Sequence, residues 1–363
     1  MSGRIILFGA TGYTGRLTAE AMARRGVKPV LAARSAEALD ALASELGGGY
    51  ETAVADVAQP ETVRALVEEG DVLVSTVGPF IRFGEAAVRA AIDGRAHYLD
   101  STGEGPFIRR VFEEFGPQAE QAGVALLTAM GYDWVPGNLA GGLALQEAGA
   151  AATRLDVGYF SLGGGAGAMS GGTRASAAGV MLEDTYAFQG GQVVTERGGA
   201  RVRSFEVNGR SLQALSAGAT EALSLPRVHP TLRDVDTYLG WFGPATRPVA
   251  AFSLLGKVPG MRGALGGLAG RFLKGSSGGP DETARAKSRS HIVAVASNAA
   301  DAPLSTVHVE GANGYDFTAD MLAWSAERVR DGGLRGAGAL GPVEAFGLDA
   351  LREGCAEAGI TRV

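Results

Sequence analysis

Short runs of hydrophobic residues alternate with amphipathic stretches along the first 130 residues of the chain. The apolar runs predict six β-strands, at 4–8, 29–33, 50–55, 72–77, 96–99 and 124–128. Apolar positions at helical spacing predict helices between them, at 17–25, 36–46, 60–69 and 85–93. Strands that alternate with helices form a parallel sheet, so we predict a doubly wound α/β domain.

A glycine-rich turn follows the first predicted strand and precedes the first helix. Its pattern is GxxGxxG, one residue longer in the turn than the commonest dinucleotide fingerprint. The first glycine permits a tight turn, the second lets backbone N–H groups approach a pyrophosphate, and the third lets the helix pack on the strand. We therefore predict a Rossmann-like fold that binds a dinucleotide through Gly9, Thr11, Gly12, Tyr13, Thr14 and Gly15.

The residues after the second strand bear on the choice of cofactor. A site for NAD would place an acidic residue there to bind the ribose 2′-hydroxyl, but this chain has Arg34 and Ser35. A guanidinium suits a 2′-phosphate, so we predict NADP(H); the less favoured alternative is that Arg34 is an ordinary surface residue at the start of a helix.

Two further strand ends are predicted to meet the cofactor. Asp56 follows the third strand, where it could contact the adenine. Gly78, Pro79 and Phe80 follow the fourth strand, at the edge of the sheet where ligands bind, or they form a simple turn into the next helix.

Composition and charge narrow the class of protein. The chain has 363 residues, 46% of them hydrophobic, and a net charge of −6, which argues against nucleic-acid binding. The single cysteine, Cys355, fits a reducing compartment. Neither a signal peptide nor an apolar run of about 18 residues is present, so we expect a cytoplasmic protein without a membrane span.

Several common catalytic motifs are missing from the sequence. A lysine follows four residues after none of the tyrosines, which excludes short-chain dehydrogenase chemistry. The four histidines and one cysteine lack zinc-ligand spacing, so no metal is predicted.

Eight short segments, in order along nearly the whole chain, resemble the saccharopine dehydrogenase-like oxidoreductases, particularly the trans-acting enoyl reductase branch. The segments are GATGYTG at 9–15, AARS at 32–35, STVGPF at 75–80, HYLDSTGE at 97–104, GYDWVPGNLA at 131–140, SGGTRAS at 170–176, GGPDETARAKSR at 278–289 and GYDFTADMLA at 314–323. The resemblance implies NADP(H) binding and hydride transfer.

The same resemblance implies three parts of the chain. They are an NADP-binding domain at 1–130, an α/β domain with a mixed sheet at 131–335 for substrate and dimer contacts, and a helical segment at 336–363 that returns to the first domain. Strand-like runs at 154–160, 192–197, 291–297 and 305–310 agree with the middle domain. A homodimer is expected from the family. Saccharopine itself is an unlikely substrate because the first domain has one lysine, Lys28, for a substrate with several carboxylates.

Candidate catalytic and substrate-binding residues lie at the ends of the fifth and sixth strands and in a later loop. Tyr98 and Asp100 are predicted to handle protons or orient the substrate, or else to pack in the core and cap a helix. Tyr132 and Asp133 follow the last strand. Tyr132 is a candidate substrate contact, whereas Asp133 either bonds a pocket group or, as we favour, holds the turn before Pro136. Ser170 and Thr173 offer donors for an enolate oxygen, unless their loop is only a hinge.

Residues 254–274 combine four basic residues with apolar residues at roughly helical spacing and contain no acid. Six glycines from 256 to 270 disfavour an isolated helix. We expect a lid or a dimer contact in preference to membrane attachment.

These observations predict an NADPH-dependent reductase that acts on an activated C=C (enoyl) or C=N (imine) bond. The middle domain carries aromatics that favour a mainly apolar small-molecule substrate: Phe188, Tyr238, Trp241, Phe242 and Phe252. The alternative is a non-catalytic NADP-binding sensor or regulator.

Overall fold

The computed structural model describes residues 3–163, 184–253 and 278–363. Two compact units make up the chain. The first contains residues 3–102, Phe107–Val135 and Gly314–Gly359; the second contains Gly103–Pro106, Pro136–Asn313 and Ile360–Val363. The divisions predicted from the sequence fall at 130 and 335, whereas residues 314–335 here belong to the first unit.

The strands and helices follow one another along both units. The strands are β1 (Ile5–Phe8), β2 (Val30–Ala33), β3 (Thr52–Val54), β4 (Val72–Ser75), β5 (His97–Asp100), β6 (Ala125–Leu127), β7 (Arg154–Leu162), β8 (Asp184–Gln189), β9 (Gln192–Arg197), β10 (Val202–Val207), β11 (Arg210–Ala217), β12 (Asp234–Leu239), β13 (Arg289–Ser297), β14 (Pro303–Gly311), β15 (Gly338–Ala339) and β16 (Ile360–Arg362). The α-helices are α1 (Tyr13–Arg24), α2 (Ala36–Glu45), α3 (Pro60–Arg64), α4 (Phe80–Gly94), α5 (Gly105–Arg110), α6 (Gly116–Ala122), α7 (Val135–Ala148), α8 (Glu221–Val228), α9 (Thr246–Ser253), α10 (Glu282–Ala286), α11 (Gly314–Arg330), α12 (Pro342–Phe346) and α13 (Leu348–Glu357).

The predicted doubly wound sheet is confirmed in the first unit. Among the described residues its order is β15-β6-β5-β4-β1-β2-β3, and every neighbouring pair is parallel. All six predicted strands are present. Sequence analysis missed the seventh strand, β15, because two residues give no periodic signal.

Two helices begin earlier than predicted. The first starts at Tyr13 instead of 17, directly after Gly12. The helix expected at 85–93 starts at Phe80, because Pro79 precedes it and Phe80, Gly84 and Ala87 already carry its buried face. Gly84 is required there because any Cβ would press into the Phe107 ring.

Helices from the end of the chain complete the cover of this sheet. Helix α11 packs against α1 and against β1, β4 and β5, and it also contacts α13. Right-handed crossovers place α4 and the segments after β5 on one face, so the other face over β4 and β5 needs a cover from elsewhere in the chain. Residues 314–359 supply that cover and bury Trp324 against Phe346.

The second unit is built on a mixed sheet. Nine of the described strands form it, in the order β10-β11-β12-β7-β13-β14-β16, with β8 on β12 and β9 on β8. Only the β7–β12 pair is parallel among the described pairs of this sheet. One face packs under α7, where Gly141 faces Leu155 and Leu225, and the opposite face carries the cluster of Phe160, Phe205, Tyr238 and Val293.

Buried polar groups fasten the start of α7 within this unit. The Tyr159 hydroxyl accepts a 2.8 Å hydrogen bond from Gly137 N and donates one of 2.7 Å to Glu221 Oε1. Asn138 Nδ2 donates to Thr220 Oγ1 over 2.8 Å. These contacts join α7 to β7 and α8.

None of the described helices combines the length and the apolar character that a bilayer crossing demands.

Candidate functional site

The glycine turn after β1 has the geometry of a dinucleotide cradle. Gly9 has a φ of +89°, which favours glycine. A Cβ on Gly15 would collide with the Gly9 carbonyl oxygen and lie 2.9 Å from Ala10 Cα, so only glycine lets α1 approach the turn so closely. The residues present therefore fit a bound pyrophosphate, as the motif predicts.

The start of α1 supplies the donors of this cradle. Arg16 N makes the first intrahelical bond, 2.8 Å to Gly12 O, so the amides of the first turn have no carbonyl of their own helix to bind. Gly12 is exposed, and it caps the helix without a side chain. Unpaired amides and the helix dipole together favour an anion at this point.

Arg34 stands exposed directly after β2, with no hydrogen bond or ion pair to any residue that the structure describes. Its neighbour Ser35 caps α2, with its Oγ accepting from Ala38 N over 3.2 Å. A free guanidinium beside a helix N-terminus offers a planar fork for a phosphate.

The residues predicted to contact the cofactor after β3 and β4 differ in their exposure and hydrogen bonding. Asp56 Oδ1 accepts from Ala58 N over 2.9 Å and so shapes the turn into α3. Gly78 and Pro79 are exposed at the carboxyl end of β4, whereas Phe80 is buried against Phe107, with ring centroids 5.8 Å apart. Phe80 is thus the least accessible of the three.

Tyr98 and Asp100, the candidates for proton handling, are both fully buried. Asp100 Oδ1 accepts from Ala129 N (2.8 Å) and Thr102 N (2.9 Å), and its Oδ2 accepts from Thr128 Oγ1 (2.8 Å). Burial raises the pKa of Asp100 to about 6, because these neutral donors offset only part of the lost hydration.

The Tyr98 hydroxyl approaches the Asp100 carboxyl and the Ser75 hydroxyl without good hydrogen-bond geometry to either. Burial, and then the neighbouring Asp100, raise the pKa of Tyr98 well above its ordinary value. Both groups thus hold their protons more tightly than they would in water.

Asp133 lies in the turn after β6. Its Oδ1 is buried and has no hydrogen-bond partner among the described residues. Burial raises the pKa of the Asp133 carboxyl to about 7. A carboxyl with this pKa changes its charge near neutral pH.

Tyr132, the candidate substrate contact, is half-buried beside the start of α11. Its backbone N donates a 2.9 Å hydrogen bond to Thr318 Oγ1, and its ring lies against Gly314.

Ser170, Thr173 and residues 254–274 lie outside the described residues. Tyr238, one of the aromatics taken to favour an apolar substrate, packs in the core against Phe205, 5.6 Å between centroids.

Tyr315 lies beside the glycine turn and was not among the site residues predicted from the sequence. Its ring contacts that of Tyr13 in the glycine turn. A signal was present, since the tripeptide Gly-Tyr-Asp occurs at 131–133 and again at 314–316. The described ranges contain no cluster of three or more His, Cys, Asp or Glu residues suited to a metal ion.

Comparisons with known proteins agree with a dinucleotide site at the glycine turn. The family profile of the saccharopine dehydrogenase NADP binding domain matches residues 5–127. Proteins named trans-acting enoyl reductase from Mycobacterium tuberculosis and Mycobacterium ulcerans are 36% and 35% identical over 140 residues. Those matches cover 37% of this chain and 34% of each relative, about a third of the relatives' length.

The likeness in fold extends further than the likeness in sequence. Saccharopine dehydrogenase (L-Glu forming) from Saccharomyces cerevisiae matches 99% of both chains with a TM-score of 0.62 and 12% identity. At 12% identity the match shows that the two proteins share a fold and shows nothing about function. Residues 5–127 therefore match the saccharopine dehydrogenase NADP binding domain, with NADP(H) as the cofactor, within a chain that has the fold of saccharopine dehydrogenase.

Proposed function

We propose that this protein is an NADPH-dependent oxidoreductase that reduces an activated C=C or C=N bond of a mainly apolar small molecule. The observation that carries the proposal is the glycine cradle, in which Gly15 brings α1 against the turn; Arg34, after β2, has no partner among the described residues. Bound NADPH would supply the hydride.

The chain's own residues would hold the cofactor at both ends. Amides of the first turn of α1, after Gly12, would bind the pyrophosphate, and Arg34 with the start of α2 would bind the 2′-phosphate. This arrangement would leave the reactive ring near the carboxyl ends of β5 and β6, where Asp100 and Tyr132 lie.

Proton handling by Tyr98 and Asp100 stays a prediction. Because both side chains are buried, they could reach a substrate only after a movement that exposes them. Asp100 can orient the backbone at Thr102 and Ala129 without any such movement, since it already accepts hydrogen bonds from both amides. Asp133 is a third titratable group at this edge, and its unpaired Oδ1 supports a role in binding.

The enoyl substrate class rests on the names of the mycobacterial relatives. The imine class rests on the general requirement of hydride transfer for a polarised, electron-poor carbon. We propose the enoyl class first, because relatives with that name match 37% of this chain at 35% and 36% identity.

The test is a turnover assay in which absorbance of the reduced nicotinamide reports consumption of NADPH. Enoyl thioesters and cyclic imines form the substrate panel, and the Gly12→Ala variant serves as a control that lacks room for the pyrophosphate. Consumption with an enoyl thioester by the wild type alone supports the proposal. Tight NADPH binding with no turnover on either panel would favour the sensor instead.

A further inference from the structure

The start of α11 lies beside the glycine turn although about 300 residues separate them in sequence. The rings of Tyr13 and Tyr315 meet edge to face, with centroids 5.4 Å apart and an interplanar angle of 84°. This is a favourable geometry for two aromatic rings. Tyr13 is the first residue of α1, where the pyrophosphate donors are.

Ion pairs fix α11 along α1. Arg24 pairs with Asp320 over 2.7 Å. Arg25 pairs with Glu327 and, over 3.0 Å, with Glu357 of α13. These contacts set the position of α11 along the axis of α1, and so they set how far Tyr315 reaches toward Tyr13.

A second anchor fixes the first turn of α11 to the loop after β6. Thr318 Oγ1 accepts from Tyr132 N and donates 2.6 Å to Gly314 O. A Cβ on Gly131 would lie 2.8 Å from the Thr318 methyl, and one on Gly314 would lie 3.0 Å from the Tyr132 ring. Both glycines therefore permit the close approach that places Tyr315.

The three tyrosines at this edge differ from the packed aromatics of the same unit. Trp134, Phe107 and Phe346 are fully buried, whereas Tyr13, Tyr132 and Tyr315 each keep part of their surface exposed. Half-exposed rings contribute less to stability by burial than core rings do. Their placement at the cofactor edge fits rings that meet a ligand.

We propose that Tyr315 is a positioning residue of the NADP(H) site, which acts by holding Tyr13 and with it the start of α1 against the pyrophosphate and nicotinamide half of the cofactor. This inference rests on the proposed function, since it concerns the same cofactor. It makes residues 314–330 part of a site that residues 5–127 otherwise form.

The test compares two ligands in calorimetric titrations without substrate. NADPH engages the whole site, while adenosine 2′,5′-bisphosphate lacks the nicotinamide half. In Tyr315→Leu, the Kd for NADPH should rise about fivefold and that for adenosine 2′,5′-bisphosphate should change less than about twofold. Tyr315→Phe keeps the ring and should bind NADPH as the wild type does. Tyr50→Leu, which removes a tyrosine at the opposite edge of the sheet, is the matched control.

A double-mutant cycle tests whether Tyr315 acts through Tyr13. If it does, the variant with both Tyr13→Leu and Tyr315→Leu should bind NADPH no more weakly than Tyr13→Leu alone. Additive losses would overturn the inference. So would equal losses for both ligands in Tyr315→Leu, because they would indicate local unfolding, or an unchanged Kd for NADPH. A wild type that binds neither ligand would instead overturn the proposed function.

Discussion

In the parallel sheet of the first unit, buried carboxylates have different partners at the two ends of the strands. We call the side where the strands begin the amino edge and the side where they end the carboxyl edge. At the amino edge, Asp71 accepts hydrogen bonds from Arg4, both from its backbone N (2.8 Å) and from its guanidinium (2.7 Å). At the carboxyl edge, Asp100 is equally buried but has only neutral donors within hydrogen-bond reach. Burial of a carboxylate without a cation costs free energy, and such costs concentrate at functional sites.

Other polar side chains also have hydrogen-bond partners at the amino edge and lack them at the carboxyl edge, among the described residues. At the amino edge Ala125 N donates to His97 Nδ1 over 3.1 Å, and Lys28 Nζ donates to Gly48 O over 3.3 Å. At the carboxyl edge, Arg34 and one oxygen of Asp133 lack partners within the described ranges. Groups without a protein partner among the described residues thus occur at the carboxyl edge, where we expect the cofactor to bind.

One cavity of the first unit lies at the end of the sheet opposite to the glycine turn. A cavity of about 440 Å³ opens at the amino edge, lined in part by Arg4, Lys28, Glu51, Arg330 and Asp331. Arg4 and Arg330 are already paired, with Asp71 and with Asp331. The cavity therefore offers a ligand little that the protein has not already bound.

The largest expected effect comes from filling the space at the glycine turn. Gly15→Ala forces α1 away from Gly9 and should lower the free energy of unfolding by more than about 2 kcal/mol, with loss of NADPH binding. Gly12→Ala has more room, 3.3 Å to Gly9 O, and should stay folded while NADPH binding falls. Thermal unfolding and calorimetry measure the two effects.

Gly70→Ala is the matched control at the amino edge. Its φ of +86° makes alanine strained there, but nothing lies within 4 Å of the added Cβ. It should cost about 1 kcal/mol of stability and leave NADPH binding intact. Loss of NADPH binding in this variant would remove the distinction between the two edges.

Changes at Asp100 should separate its hydrogen bonds from its charge. Asp100→Ala leaves the buried amides of Thr102 and Ala129 without acceptors and should cost about 2 kcal/mol. In Asp100→Asn the amide oxygen can still accept from both, and its NH₂ group can donate to Thr128 Oγ1. The fold should therefore survive in the asparagine variant.

The pH dependence gives the sign of the charge effect. Because burial raises the folded pKa of Asp100 to about 6, above that of an unfolded aspartate, the native state binds the extra proton between pH 4 and 6. The free energy of unfolding of the wild type should fall as pH rises through this range. Urea unfolding should show a smaller fall in Asp100→Asn, and parallel profiles would contradict this assignment.

A smaller effect is expected for cofactor choice. Arg34→Asp removes the proposed partner of the 2′-phosphate and should weaken NADPH binding by more than about tenfold while sparing NADH. Arg95→Asp makes the same charge change on an exposed residue before β5, at the amino edge, and should leave both Kd values unchanged. Equal losses for NADPH and NADH in Arg34→Asp would refute the assigned role.

The repeating strand–helix pattern was enough to predict the first sheet, because each strand and its helix carry their own periodic signal. The glycine turn was likewise predictable, since its chemistry depends on neighbours in sequence, whereas the role of Arg34 stays a prediction. The predictions for Ser170, Thr173 and residues 254–274 stay predictions.

Sequence by itself therefore determined the Rossmann-like order of β1 to β6, the cradle at 9–15 and the preference for NADP(H). Only the tertiary structure decided that residues 314–330 return to the cradle, that Tyr315 meets Tyr13, and that Asp100 is buried with neutral donors as its hydrogen-bond partners among the described residues. The reason is physical: local periodicity records which face of an element is buried, but not which distant segment covers it. That choice depends on packing between residues about 300 positions apart.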